Sequence, residues 1–150
     1  SIKKISFNLP KLCPNAIWSN NGTTFANSTL VGQDTEGFFV TTKNSVFVAN
    51  KELGKVVFSL KKVQFDKNNL NIATYPTSIF GRNNDDFYIG NGYSQYRVDK
   101  WESNASNSTA AMYTCGSCYG AFVDINNNLH YSVYAKYEVI VKSLDNRMNI

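Results

Sequence analysis

A single histidine, three cysteines and three prolines are spread over 150 residues. A zinc-type site needs a second ligand pair beside Cys115 and Cys118, and His130 alone does not supply it. No stretch approaches the roughly 18 consecutive apolar residues of a membrane helix. The opening SIKKISFNLP also lacks the apolar core of a signal peptide. A secreted chain is therefore expected to be a mature or excerpted form, and a start at Ser1 without methionine agrees with that expectation. Also missing are a P-loop, a dinucleotide-binding glycine fingerprint, a His-Glu-x-x-His motif and EF-hand spacing. Gly90-x-Gly92 and Gly116 to Gly120 lead into no helix that could hold phosphate, so no cofactor is expected. The net charge is +4, but Lys3, Lys4, Lys11, Lys55, Lys61, Lys62 and Lys67 are scattered, with no arginine-rich run. That distribution argues against a nucleic-acid footprint.

What is present is a folded composition, 43% hydrophobic and 17% charged, in a length that fits one domain. Within it one block returns twice: Phe39 to Asn50 superposes without a gap on Phe80 to Asn91 and on Phe122 to Val133. Val46, Phe87 and Leu129 coincide, then Val48, Ile89 and Tyr131, then the small residues Ala49, Gly90 and Ser132. A period of about 42 residues is the mark of propeller blades or another repeat array. Framed on Trp18, Phe58 and Trp101, the repeats run at about 18–57, 58–100 and 101–144, after a lead-in at 1–17.

The segments themselves read as strands. Phe38-Phe39-Val40, Val46-Phe47-Val48, Val56-Val57-Phe58, Phe87-Tyr88-Ile89, Tyr96-Arg97-Val98, Ala121-Phe122-Val123 and Val139-Ile140-Val141 are β-branched or aromatic. Lys61 to Phe65 has the same character, and polar turns intervene. Thr42 to Ser45, Asn83 to Asp86 and Asn126 to Asn128 fall at one place in the repeat, where a hairpin is expected to join the two innermost strands of each unit. The class is all-β. Two architectures take three such units: a β-trefoil, favoured by counting, and a propeller, which ordinarily has at least four blades.

Four Asn-x-Ser/Thr sequons stand at Asn21, Asn27, Asn104 and Asn107, and Trp18 and Trp101 precede the first and third of them at equal distance. Such clustering in matching pairs points to N-glycosylation on exposed loops of an extracellular chain. In that setting Cys115-Gly116-Ser117-Cys118 reads as structural rather than redox-active, since no amphipathic helix follows it. Cys115 pairs with Cys118 across a turn, or one of them pairs with Cys13.

Motif content favours the propeller. Gly37-Phe38-Phe39-Val40, Val46 to Asn50 and Val56-Val57-Phe58 resemble the NHL-type propeller repeat, clearly in this copy and in Tyr119 to Leu144, more loosely in Ser78 to Trp101. The asparagine-rich version with Trp-x-x-Asn-x-Ser/Thr, Cys115 to Gly120 and Phe122 to Asn127 is similar to secreted NHL-like proteins of rotifers and comparable aquatic invertebrates, over roughly Cys13 to Leu144. Asn15-Ala16-Ile17 and Asn127-Asn128-Leu129 depart from that pattern and cannot be glycosylated. The resemblance implies half of a six-bladed ring, whose open edges need further blades of a longer chain, a second copy or lateral assembly to cover them.

Catalytic chemistry is sparse. His130 takes the repeat position of Phe47 and Tyr88, so it is expected to fill a face rather than move protons. Some six-bladed propellers are calcium-dependent lactonases or hydrolases, and the carboxylates available for that role are Asp34, Glu36, Asp85, Asp86 and Asp124, most of them turn residues. Tyr75, Tyr93, Tyr96, Tyr113, Tyr119, Tyr134 and Tyr137 exceed what one small core absorbs and offer contact area for protein or sugar. Three readings follow: a non-catalytic binding or assembly module with self-association or further blades as partners, a lectin-like carbohydrate binder with three equivalent pockets, and a calcium-dependent propeller hydrolase.

Overall fold

The computed structural model describes residues 15, 17, 19–41, 45–59, 70–71, 75–82, 86–92, 95–102, 105–114 and 116–145. They form three antiparallel sheets in chain order. The first holds β1 (Thr35–Val40), β2 (Val46–Asn50), β3 (Lys55–Ser59) and β4 (Leu70–Asn71). The second holds β5 (Pro76–Gly81), β6 (Phe87–Asn91), β7 (Arg97–Trp101) and β8 (Thr109–Tyr113). The third holds β9 (Cys118–Val123), β10 (Asn128–Val133) and β11 (Glu138–Ser143). Helix is confined to α1 (Ser28–Val31) and one 3-10 turn, Tyr134–Lys136, among the described residues.

Each sheet is a meander started by the same hairpin. Thr41 N–H donates to Ser45 O at 2.8 Å, Arg82 N–H to Asp86 O at 2.8 Å and Asp124 N–H to Asn128 O at 2.9 Å. Among the described residues, side chains reinforce the first and third turns: Ser45 N–H donates to Thr41 Oγ1 at 3.1 Å, and Asn126 and Asn128 N–H both donate to Asp124 Oδ1 at 2.9 Å. Short polar side chains that accept from nearby main chain are what such turns require. The register preserves the repeat: Phe39 faces Phe47, Phe80 faces Tyr88 and Phe122 faces His130 across the first strand pair of each sheet.

The sheets stack through their first strands, β1 against β5 and β5 against β9. A ladder of equivalent rings runs along that stack, Phe39 to Phe80 at 5.5 Å and Phe80 to Phe122 at 5.1 Å, both edge-on. Small residues permit the close approach. A Cβ on Gly90 would lie 2.5 Å from Ser78 Oγ and 3.2 Å from Cys118 Sγ, so the position shared by Ala49 and Gly90 is small where the first strand of the next sheet passes. Two apolar clusters fill the seams: Ala49, Val56, Ile79, Ile89 and Trp101 between the first and second sheets, and Tyr88, Val98, Met112, Leu129, Tyr131 and Val133 between the second and third. Burial follows from the stacking order. Middle strand β6 is buried at nearly every residue, whereas β10 alternates strictly, as a strand covered on one face must.

Three separate meanders stacked through their first strands are propeller blades, and the chain is a propeller-type segment of three. The trefoil alternative is corrected: β1, β5 and β9 each pair only within their own sheet, so the described strands close no threefold barrel. Frames at 18–57, 58–100 and 101–144 carry the same period in another phase, because Phe58 lies in β3 and Trp101 ends β7. Lys61 to Phe65 and most of the lead-in fall outside the described residues.

Candidate interaction faces

The repeat lets each position be compared in three settings. Phe38, Ile79 and Ala121 are equivalent, on the first strand of each sheet. Ile79 is 6% exposed and Ala121 packs on the second seam, but Phe38, with no sheet before it among the described residues, is 72% exposed. At the other end the equivalent set is Val56, Val98 and Val139, each opposite the small residue of its second strand. Val56 and Val98 are 6% and 0% exposed, and Val139 is 68%. The first and third sheets therefore present the two complementary halves of a seam that the molecule fills twice internally.

The face around Phe38 is concave. Phe25, Val31, Phe38, Val40, Val46 and Val48 line a groove of about 540 Å3. Its rim is built by α1, which Asn27 caps by accepting from Thr29 N–H at 3.2 Å. Gly32 ends the helix at φ +78, and a Cβ there would meet the Asn50 amide at 2.5 Å, so the position is closed to other residues twice over. Asn50, wholly buried at the end of β2, donates from Nδ2 to Val31 O at 2.8 Å and to Gln33 O, while its Oδ1 accepts from Leu53 N–H at 2.7 Å.

Of the glycosylation candidates, Asn21, Asn27 and Asn107 are exposed, and Asn104 lies outside the described residues. Of the disulfide candidates, Cys118 carries a buried free thiol whose Sγ donates to Gly120 O at 3.4 Å, and Cys13 and Cys115 lie outside the described residues. Burial pushes the Cys118 thiol up to about 11, partly opposed by hydrogen bonding with the Gly120 main chain and the Ser78 side chain, so at neutral pH this sulfur is protonated and unreactive.

Tyr75, Tyr96, Tyr113, Tyr119, Tyr134 and Tyr137 are exposed, and Tyr93 is outside the described residues. Three of them gather on the last blade, with Tyr134 5.4 Å from Tyr119 and 6.5 Å from Tyr137. Tyr96 and Tyr137 take left-handed backbone at the residue before the third strand, where the first sheet has Gly54. No composition rule marks a tyrosine for that position.

The carboxylates proposed for calcium do not converge. Glu36 lies 3.2 Å from Lys51 Nζ with Asp34 at 4.0 Å, and Asp86 lies 3.3 Å from Lys100 Nζ. Asp124 lies 2.8 Å from His130 Nε2, and Asp85 is outside the described residues. Each of the four described ones is engaged by a partner from its own blade, and no group of three or more His, Cys, Asp or Glu that could hold a metal occurs among the described residues.

The Asp124 and His130 pair, joined across the last hairpin, escaped the sequence reading, which treated the two residues separately. Hydrogen bonding from His130, then from Asn128 and Asn126 main chain, holds the Asp124 carboxyl well below the usual carboxylate range. A folded-state value below the unfolded one, about 3.9, contributes stability that is complete above that value and is lost as pH falls beneath it. Wild-type Tm is therefore expected to drop more steeply than that of Asp124→Asn between about pH 4 and pH 2. Parallel curves in a pH series of thermal melts would refute the assignment.

No family model and no curated protein matches the chain. Among solved structures it is similar to virginiamycin B lyase from Staphylococcus aureus, at 8% identity and a TM-score of 0.49, over 75% of this chain and 42% of that one. It is similar also to a catalytically inactive form of the same lyase with quinupristin, at 12% identity and a TM-score of 0.46, over 77% of this chain and 43% of that one. The chain thus spans about two fifths of the length of either structure, and likenesses this slight carry no chemistry across.

Proposed function

We propose that the chain is an extracellular, N-glycosylated segment of an NHL-like propeller of the asparagine-rich secreted kind, and that it acts without catalysis, as a binding or assembly module. The observation that supports the module reading best is the pair of apolar faces left open at the two ends, where Phe38 and Val139 are exposed although their repeat equivalents Ile79, Val56 and Val98 are buried. Contiguous apolar surface of this kind is the usual mark of a docking face. The catalytic alternative draws no support from the geometry, because the described candidate carboxylates are divided among separate partners, Asp34 and Glu36 at Lys51, Asp86 at Lys100 and Asp124 at His130.

The extracellular part of the reading rests on the sequons and on the exposure of Asn21, Asn27 and Asn107. Asn27 is well posed as an acceptor, since its Oδ1 is held by Thr29 N–H while Nδ2 is left to carry the sugar. Glycopeptide mass spectrometry of protein collected from a secreting eukaryotic host is expected to find N-acetylhexosamine on at least one of these asparagines. Secreted protein with every sequon asparagine bare would remove the glycoprotein assignment.

A further inference from the structure

Resting on that module reading, we infer that the partner is a second copy of this chain, joined head to tail, so that two three-blade segments close one ring of six. The inference begins with the two seams the molecule already contains. In the first, Val56 of one sheet and Ile79 of the next belong to a single apolar cluster. In the second, Val98 and Ala121, at the same two repeat positions, belong to the other. The two members of that pair with no counterpart among the described residues are Val139 on the third sheet and Phe38 on the first, and both are exposed.

A third seam built by the same rule places Val139 of one copy against Phe38 of another. Val141 would join it from β11, and the groove holding Val40, Val46 and Val48 would receive that sheet face. The two surfaces differ from one another, so the contact is heterologous, and a heterologous contact either closes a ring or runs on as a filament. Rotation decides between the outcomes. Propellers close with about four to eight blades, and two copies of three sheets supply six. Closure by two copies buries both end faces of each copy and leaves no sheet face uncovered, which an open chain does not achieve.

Opposite charges introduced on the two sides of the proposed seam test it. The substitutions are Val139→Lys and Phe38→Asp, each on an exposed side chain, so each single variant should keep its fold, as far-UV circular dichroism and a cooperative melt will verify. Light scattering on the 150-residue chain is expected to give twice the monomer mass, and either single variant should give the monomer mass. Mixing the two variants should restore the doubled mass, because one seam then has both wild-type faces and the other sets lysine against aspartate. A wild-type monomer, a mass that climbs past twice the monomer as concentration rises, or a mixture that stays monomeric would each overturn the closed pair. An apolar-surface dye separates this failure from failure of the module reading: a wild-type monomer that binds the dye through Phe38 keeps its open docking face, and one that does not bind it has none.

Discussion

Asn50→Ala is expected to lower the unfolding free energy by about 3 kcal/mol, with a fall in Tm of about 10 °C. The side chain is wholly buried, and three main-chain groups depend on it: the carbonyls of Val31 and Gln33 and the N–H of Leu53. Alanine removes all three bonds and leaves buried polar groups whose desolvation is uncompensated, at a cost of about 1–3 kcal/mol each before water relieves part of it. Those partners lie at the last residue of α1, just beyond it and on the turn into β3, so the loss detaches the rim of the groove from the first sheet. Asn50→Asp sharpens the test: a carboxylate retains the bond from Leu53 but sets an oxygen against two carbonyls, so it should be at least as damaging at neutral pH. Equilibrium denaturation measures both. A loss under about 1 kcal/mol for the alanine variant would mean that Asn50 does not hold this corner.

The repeat, the hairpins and most strands were legible because they depend on local chemistry: β-branched and aromatic runs, asparagine and aspartate at turns, a small residue at a fixed phase. Position 50 marks where that legibility stops. Asn91 is its equivalent and also fully buried, yet it donates to Asp99, which lies 2.7 Å from Arg97, and the third copy has Val133 there. One repeat position thus has three chemistries, decided by which segment crosses the end of the second strand. β8 was missed for a related reason. Thr109-Ala110-Ala111-Met112-Tyr113 has few of the residues that favour strands, and it is held as a strand by pairing with β7 and by burial of Met112. Among the candidate faces, the sequence ranked tyrosines by number, whereas exposure depends on which sheet lies at an end, and that is a property of the stack.

The same substitution made at two equivalent positions should have opposite consequences. Val98→Lys is expected to abolish the cooperative melt and near-UV circular dichroism, and Val139→Lys to leave both intact. Val98 is wholly buried in the second seam with Tyr88, Met112 and Leu129. A lysine there is either charged without a partner, at several kcal/mol even after relaxation, or neutral and too long for a packed site. Against a total stability of about 5–15 kcal/mol for an ordinary domain, that loss is enough to open the seam. Separation of the second and third sheets would strand Leu129, Tyr131 and Val133 in water together, so damage should spread beyond one residue. Val139 occupies the same place relative to its own sheet, opposite Ser132 as Val98 is opposite Gly90, but the next sheet that would bury it is not part of this chain's described fold. Its lysine reaches solvent at no desolvation cost within the single chain. A Val98→Lys protein that melts cooperatively near the wild-type Tm would show that the seam between the second and third blades is not what holds them together.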